Sequence, residues 1–310
     1  MISNMVEKTS NYNELPLVSV IMNCYNGKKY LRKAIDSVYG QTYKNWEIIF
    51  WDNASTDSSS IIARSYNDGK LKYYNADVNT TLGIARNAAI ERSNGEIIAF
   101  LDVDDYWEKN KLELQVPLFK KEMVGIVCGN YWIENELNSR KNNKILSKKN
   151  LTRGFVVDEL LSNYFVGNLT LMIRKEALNK LTGLIDTRYP IIADFDLVVR
   201  IALSWEVDYV SDTIATYRRH GGNLTSTDEI SYAYQMIEWI ESPTNNIYKQ
   251  YPGYIVCKCK AYYMAVVAYK FIGNYYNAFR YLTKISCSRE RVRGVLVVLT
   301  PKFILAYFRK

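Results

Sequence analysis

Three carboxylates, Asp102, Asp104 and Asp105, follow directly on the apolar run Ile97-Ile98-Ala99-Phe100-Leu101. Carboxylates this close repel one another, and a hard divalent cation with oxygen ligands is the usual remedy. The competing account is that one Asp caps a helix starting near Trp107 while the others are solvated. A second acidic pair, Asp194 and Asp196, opens a predicted helix over 191–204. Carboxylates there suit either proton abstraction or the positive end of the helix dipole. His220, the single histidine, is preceded by Arg218 and Arg219 and followed by two glycines, a composition suited to an anion-binding loop or to a solvated one.

These residues need elements to hold them. Five apolar residues without polar alternation read as a strand buried on both faces, as in a parallel sheet. Leu17–Met22, Trp46–Trp51 and Leu71–Tyr74 read as further strands, and each of the first two runs into a polar loop: Asn23-Cys24-Tyr25-Asn26-Gly27 and Asp52-Asn53-Ala54-Ser55-Thr56-Asp57. Between them lie helical patterns carrying Leu31, Ala34, Ile35 and Val38, then Ile61 and Ile62, then Leu82–Ile90 with Arg86. The alternation predicts an α/β fold with a doubly wound, mainly parallel sheet whose loops gather on one edge. A helix over Trp107–Leu118 and a strand over Gly125–Cys128 extend it; 135–150, rich in Lys and Asn, reads as a mobile surface loop. Beyond Thr225 the pattern becomes four long helical stretches. The chain therefore divides into a tail over 1–15, an α/β domain over 16–225 and a helical region over 226–310.

The 310 residues supply ample core, and a net charge of +8 favours anionic partners. Five irregularly spaced cysteines fit a reducing compartment better than a disulfide framework. The polar stretch Met1–Leu15 lacks a signal peptide's apolar core, and no apolar run reaches the ~18 residues of a membrane span. A cytoplasmic protein is expected, with room for peripheral attachment to the membrane's inner face.

Taken in order, these motifs resemble the family 2 inverting glycosyltransferases, which have a GT-A fold, over roughly 16–225. Val18–Asn26 resembles the family's opening strand and nucleotide-holding loop, which implies donor contacts for Asn23, Tyr25 and Asn26. Asp52–Asp57 resembles its Asp-Asp-Gly-Ser-Thr-Asp loop, whose first Asp contacts the base; Asn53 and Ala54 depart from it. Gly83-Ile84-Ala85-Arg86-Asn87 resembles a segment that brings an Arg, here Arg86, near the nucleotide. Asp102-Val103-Asp104 is similar to the DXD motif that holds Mn²⁺ or Mg²⁺ against the donor diphosphate. Ala193-Asp194-Phe195-Asp196 resembles Glu-Asp-Tyr-Asp, which implies that Asp194 is the catalytic base. Tyr217–Asn223 resembles a loop closing over the diphosphate, implying a donor contact for Arg219 and an approach of His220 to the metal.

The resemblance implies metal-dependent, inverting transfer from a nucleotide sugar, a UDP-sugar foremost, to a saccharide or lipid-linked saccharide during surface polysaccharide assembly, with no nucleic-acid partner. Two rivals are a sugar-phosphate nucleotidyltransferase, whose Gly-rich basic loop is lacking, and a non-catalytic nucleotide-binding scaffold. Ala261–Ile285 resembles one tetratricopeptide-type hairpin, too few units for a solenoid. The last stretch, Arg291–Lys310, interleaves apolar and basic residues and suits either an anionic membrane surface or a helix docked in the core.

Overall fold

The computed structural model describes residues 15–136, 140–144, 152–223 and 229–301. Strands β1 (Val18–Cys24), β2 (Trp46–Asp52), β3 (Leu71–Asn75) and β4 (Ile97–Phe100) form the parallel half of one sheet in the order β3-β2-β1-β4. Their mainly apolar character has a direct cause. Val18, Val20, Met22, Ile48, Phe50, Ile97 and Ala99 enter the core under α1 (Leu31–Tyr39), whereas Ile21, Ile49, Ile98 and Phe100 enter the opposite core. Both faces are covered, so both sets of alternate side chains are mainly apolar, and among the buried exceptions Ser19 and Glu47 bond each other at 2.6 Å. α2 (Ser59–Arg64) adds Ala63 to the first core, and α3 (Leu82–Glu91) buries Ala89 and Ile90 in the second.

The second half of the sheet is mixed. Tyr106–Trp107 is a two-residue strand, β5, and the helix expected from Trp107 starts only at Lys111 as α4 (Lys111–Gln115), continued by a 3₁₀ turn over Val116–Lys120. Pro117 near the start of that turn lacks the N–H an α-helix would use. The strand expected over Gly125–Cys128 is the middle of a longer one, β6 (Val124–Asn135). β7 (Arg140–Lys144) folds back antiparallel on it, so part of the expected 135–150 loop is strand; 137–139 and 145–150 lie outside the described residues. β8 (Met172–Arg174) runs antiparallel between β4 and β6, and β9 (Glu206–Arg219) lies parallel to β6 and antiparallel to β5.

Helices α5 (Val157–Ser162), α6 (Lys175–Asn179) and α7 (Ala193–Ala202) cover this half. The C-terminal helices are α8 (Glu229–Glu241), α9 (Pro252–Ile272), α10 (Tyr275–Lys284) and α11 (Ser288–Leu299). Their buried residues, Trp239, Tyr254, Ala265 and Leu282 among them, join one continuous core with Ile98, Phe195 and Val198 of the sheet side. Gly253 is the closest seam, where a Cβ would lie 2.2 Å from the carbonyl oxygen of Asp158, so α9 meets α5 backbone to backbone. The tail over 1–14 and the expected boundary near residue 226 fall outside the described residues.

Candidate active site

In a sheet ordered β3-β2-β1-β4 the crossovers from β1 to β2 and from β2 to β3 run to one side, whereas the crossover from β3 returns past them to set β4 on the other side of β1, and ligands settle at the crevice where the order reverses. The loops after β1, β2 and β4 carry Asn23–Gly27, Asp52–Asp57 and Asp102–Asp105, so the predicted nucleotide and acidic motifs share that edge.

Asn23 is buried, and its Nδ2 has no partner among the described residues. It is a donor available to a ligand. Tyr25 is 54% exposed at the mouth of the loop. Asn26 sits at φ 55° and spends its side chain on the neighbouring loop: Oδ1 accepts from the Thr56 amide at 2.8 Å and the Asp57 amide at 3.3 Å. Asp52 is fully buried, with one oxygen accepting from the Ser55 amide at 2.8 Å and the other from the Tyr73 hydroxyl at 2.7 Å. In this arrangement the Asn26 and Asp52 side chains shape the loops after β1 and β2 rather than project from them. Asn53, an atypical residue for the motif, has a clear use: Nδ2 donates to the Thr80 carbonyl at 2.8 Å and Oδ1 accepts from the Thr80 amide at 3.2 Å, clamping the approach to α3.

Ala54 has φ 63°, a left-handed backbone that its Cβ disfavours. Ala54→Gly is expected to stabilise the protein by ~0.5–1 kcal/mol, because relief of that strain outweighs the greater freedom glycine has when unfolded. A denaturant midpoint at or below wild type would refute it.

The acidic triplet does not converge on one point. Asp102 Oδ1 accepts from Arg86 Nη2 at 2.7 Å, and its Oδ2 accepts from Asn168 Nδ2 at 3.1 Å. Arg86 is buried, so its charge requires such a partner. Asp105 turns inward, 3% exposed, and accepts from the Arg218 amide at 2.8 Å. Burial and the other two Asp side chains push its carboxyl well above the ordinary range. Asp104 alone meets the histidine: His220 Nε2 lies 3.1 Å from Asp104 Oδ2, and Asn223 Nδ2 donates to the same oxygen at 3.3 Å. Burial first, then Asp102, raises the Asp104 carboxyl, while His220 offsets part of the rise. Val103 packs against Gly27, where a Cβ would lie 2.8 Å from Val103 Cγ2; only glycine lets the β1 loop approach the acidic loop this closely.

His220 stacks on Tyr30 with ring centroids 5.0 Å apart. Its Nδ1 accepts from the Gly222 amide at 3.1 Å, which assigns the ring proton to Nε2, facing Asp104. Arg218 is buried against the Tyr30 ring at 4.5 Å and donates to the Asp104 carbonyl at 2.9 Å. Arg219, the residue singled out from the sequence, is exposed.

Asp194 stands in the first turn of α7 and accepts from the Tyr164 hydroxyl at 3.3 Å. Burial pushes its carboxyl above the ordinary range, and the Arg86 charge pulls it partly back. Arg86 therefore acts on Asp102 and on Asp194 at once. Asn87, next along α3, exchanges two 2.9 Å bonds with the Ile185 backbone and fixes the approach to α7.

Asp196 faces elsewhere. It is 3% exposed, accepts from Arg200 Nε at 2.8 Å and from Trp239 Nε1 at 2.9 Å, and so joins α7 to α8. Asp196→Ala would strand a fully buried indole N–H and is expected to cost roughly 3 kcal/mol of stability. Denaturant unfolding reads the loss; an unchanged midpoint would count against this role.

Among the described residues no three His, Cys, Asp or Glu side chains gather as a metal site. The fit for a divalent cation rests on two. Asp104 Oδ2 and His220 Nε2, 3.1 Å apart, are spaced as neighbouring donors on one ion, and the cation would take the place of the Nε2 proton. Asp102 is committed to Arg86 and Asn168 and is not placed as a third ligand.

Asn168, Tyr164 and Tyr30 are the site residues that motif reading did not single out. Arg218 and Asn223 lie inside the Tyr217–Asn223 motif, which assigned its donor contact to Arg219 instead. Asn168 and Tyr164 carry no local signal at all, since they reach their partners across 66 and 30 residues of sequence.

Residues 19–182 match the family model described as Glycosyl transferase family 2. The chain is 35% identical over 163 residues to "UDP-Glc:alpha-D-GlcNAc-diphosphoundecaprenol beta-1,3-glucosyltransferase WfgD" of Escherichia coli, covering 53% of this chain and 62% of that protein. It is 34% identical over 166 residues to "Putative teichuronic acid biosynthesis glycosyltransferase TuaG" of Bacillus subtilis (strain 168), covering 53% and 64%. The matches thus span less than two thirds of these relatives. A mannosyltransferase from Pyrobaculum calidifontis, solved with GDP-Man and Mn²⁺, superposes with a TM-score of 0.60 at 16% identity over 96% of this chain and 79% of that one. That likeness is one of fold.

Proposed function

The chain belongs to glycosyl transferase family 2 and has a GT-A fold, and from that premise we propose that it transfers one sugar from a nucleotide donor to a saccharide acceptor with inversion at the anomeric carbon. One observation carries the proposal: Arg86 bonds Asp102 of the donor side and lies within electrostatic reach of Asp194, so the acidic loop and the candidate base belong to a single site. The orphan Asn23 donor and the exposed Tyr25 ring lie at the end of β1, where a nucleotide would enter, and Arg219 stands exposed at the end of β9. A UDP-sugar is the donor we favour, because the WfgD name specifies UDP-Glc; a lipid-linked saccharide is the acceptor we favour, because the same name specifies a diphosphoundecaprenol.

Asp194 takes the proton of the acceptor hydroxyl as that oxygen attacks, and Tyr164 holds the carboxylate in place. Arg86 favours the ionised form of Asp194 against the burial that opposes it, and pairs with Asp102 beside the departing phosphates. Asp104 and His220 would hold Mn²⁺ or Mg²⁺, which supplies positive charge to the leaving diphosphate. The 16–225 and 226–310 division remains our proposal for the catalytic unit and its helical cap. No helix among the described residues is long and apolar enough to cross a membrane. The surface that carries a lipid-linked acceptor would instead be met peripherally.

Incubation with a panel of sugar nucleotides, Mn²⁺ and a polyprenyl-diphosphate saccharide tests the reading by release of nucleoside diphosphate together with an extended acceptor. Release of pyrophosphate from a nucleoside triphosphate and a sugar phosphate would point to the nucleotidyltransferase rival. No turnover with any donor, alongside intact nucleotide binding, would point to the scaffold.

A further inference from the structure

Helix α11 buries Glu290, Gly294 and Val297 against the body of the protein. Gly294 lets it sit close, since a Cβ there would lie 2.8 Å from Leu282 Cδ1, and Lys270 Nζ donates to the Val298 carbonyl at 2.7 Å near the helix end. At 100° per residue the opposite face carries Val292, Val295, Leu296 and Leu299. All four are exposed, Leu299 by 74% and Leu296 and Val292 by 59% each. This is an apolar stripe aimed away from the core it would ordinarily join.

The flanks of the stripe decide what it meets. Arg291 and Arg293 lie about 100° to either side of Val292, and Arg289 lies about 60° from it. All three are exposed, the Arg293 guanidinium also lying 4.7 Å from the centre of the Tyr263 ring. The helix's one acid, Glu290, is on the buried face, so its outward surface is apolar and cationic without an opposing charge. The preceding helix α10 also leaves Tyr276 and Phe279 exposed, by 79% and 60%. A protein partner would be expected to answer three arginines with placed carboxylates. A bilayer answers both features together, with acyl chains under the stripe and anionic head groups beside the guanidinium groups.

We propose that α11 is an interfacial anchor that lays Val292, Val295, Leu296 and Leu299 into an anionic lipid surface while Arg289, Arg291 and Arg293 engage its phosphates. The proposal deepens the lipid-linked acceptor reading but does not depend on it, because the test reads binding and not transfer.

The full chain is sedimented with phosphatidylglycerol-containing vesicles and, in parallel, with pure phosphatidylcholine vesicles, by wild type, Leu296→Ser/Leu299→Ser and Arg291→Gln/Arg293→Gln. Both pairs are exposed, and thermal melts by circular dichroism establish that the variants are folded. Wild type is expected to partition onto the anionic vesicles only. The leucine pair is expected to lower the partition coefficient at least about tenfold and the arginine pair about fivefold per residue. Wild type left in the supernatant, equal binding to phosphatidylcholine, or folded variants that bind like wild type would each overturn the proposal. So would a wild-type dimer by light scattering that the leucine pair abolishes without any vesicle binding, which would assign the stripe to a second copy of the chain.

Discussion

Asp194→Asn is expected to lower turnover roughly 10²- to 10⁴-fold while donor affinity stays near wild type, the size of effect that follows loss of a general base. The amide keeps the shape and can still accept from the Tyr164 hydroxyl, so the fold should hold. What it loses is the ability to take a proton. The effect also has a pH signature. Burial raises the Asp194 carboxyl above the ordinary carboxylate range, and only the ionised form is a base. Activity should therefore rise with pH through that raised value, on an acid limb above the ~3.9 of an unperturbed Asp. Arg86 and Tyr164 both favour the ionised form. Arg86→Gln and Tyr164→Phe should each move the limb to higher pH, with Arg86→Gln moving it further because it removes a full charge from a poorly solvated site. The measurements are kcat/KM against pH with a competent acceptor, and donor affinity by calorimetry. Wild-type turnover in Asp194→Asn, with Asp196→Asn inactive and donor-bound, would assign the base to the other carboxylate.

Asp104→Ala is expected to cost roughly 10²- to 10³-fold in transfer, the range seen when electrostatic help to a leaving group is withdrawn. Excess chelator should do the same to wild type. Asp102→Ala should behave differently, because its carboxylate is paired with Arg86 and Asn168 and its loss unpairs a buried guanidinium. Asp104→Ala should abolish Mn²⁺ binding measured by calorimetry with nucleoside diphosphate present. Asp102→Ala should retain measurable Mn²⁺ affinity and lose stability instead. His220→Ala, which removes a direct donor, should weaken the ion's affinity by more than the roughly 10- to 100-fold lost with a residue that only orients a ligand. Full activity in excess chelator would remove the cation from the account, and equal loss of Mn²⁺ by both Asp variants would restore Asp102 as a ligand.

Much of this protein was legible as sequence because its sheet is buried on both faces. That burial forces mainly apolar strands at Val18–Met22 and Ile97–Phe100, and strands of that kind end in loops whose polar residues stand out in the chain. The motifs at Asp52–Asp57, Asp102–Asp105 and Ala193–Asp196 are local, contiguous and placed directly at strand or helix ends. Spacing alone could find them. It could not distribute their roles, because Asp102, Asp104 and Asp105 are near equivalents in one dimension. The tertiary structure separates them by giving Asp102 to Arg86 and Asn168, Asp105 to the backbone of Arg218 and Asp104 to His220. The same holds for Asp194 and Asp196, which differ only in whether Tyr164 or Arg200 and Trp239 face them. Apart from Arg200, one turn along the same helix, those partners come from other elements of the chain. A carboxylate's neighbours, and with them its charge state and its chemistry, are set by which distant elements the core brings against it.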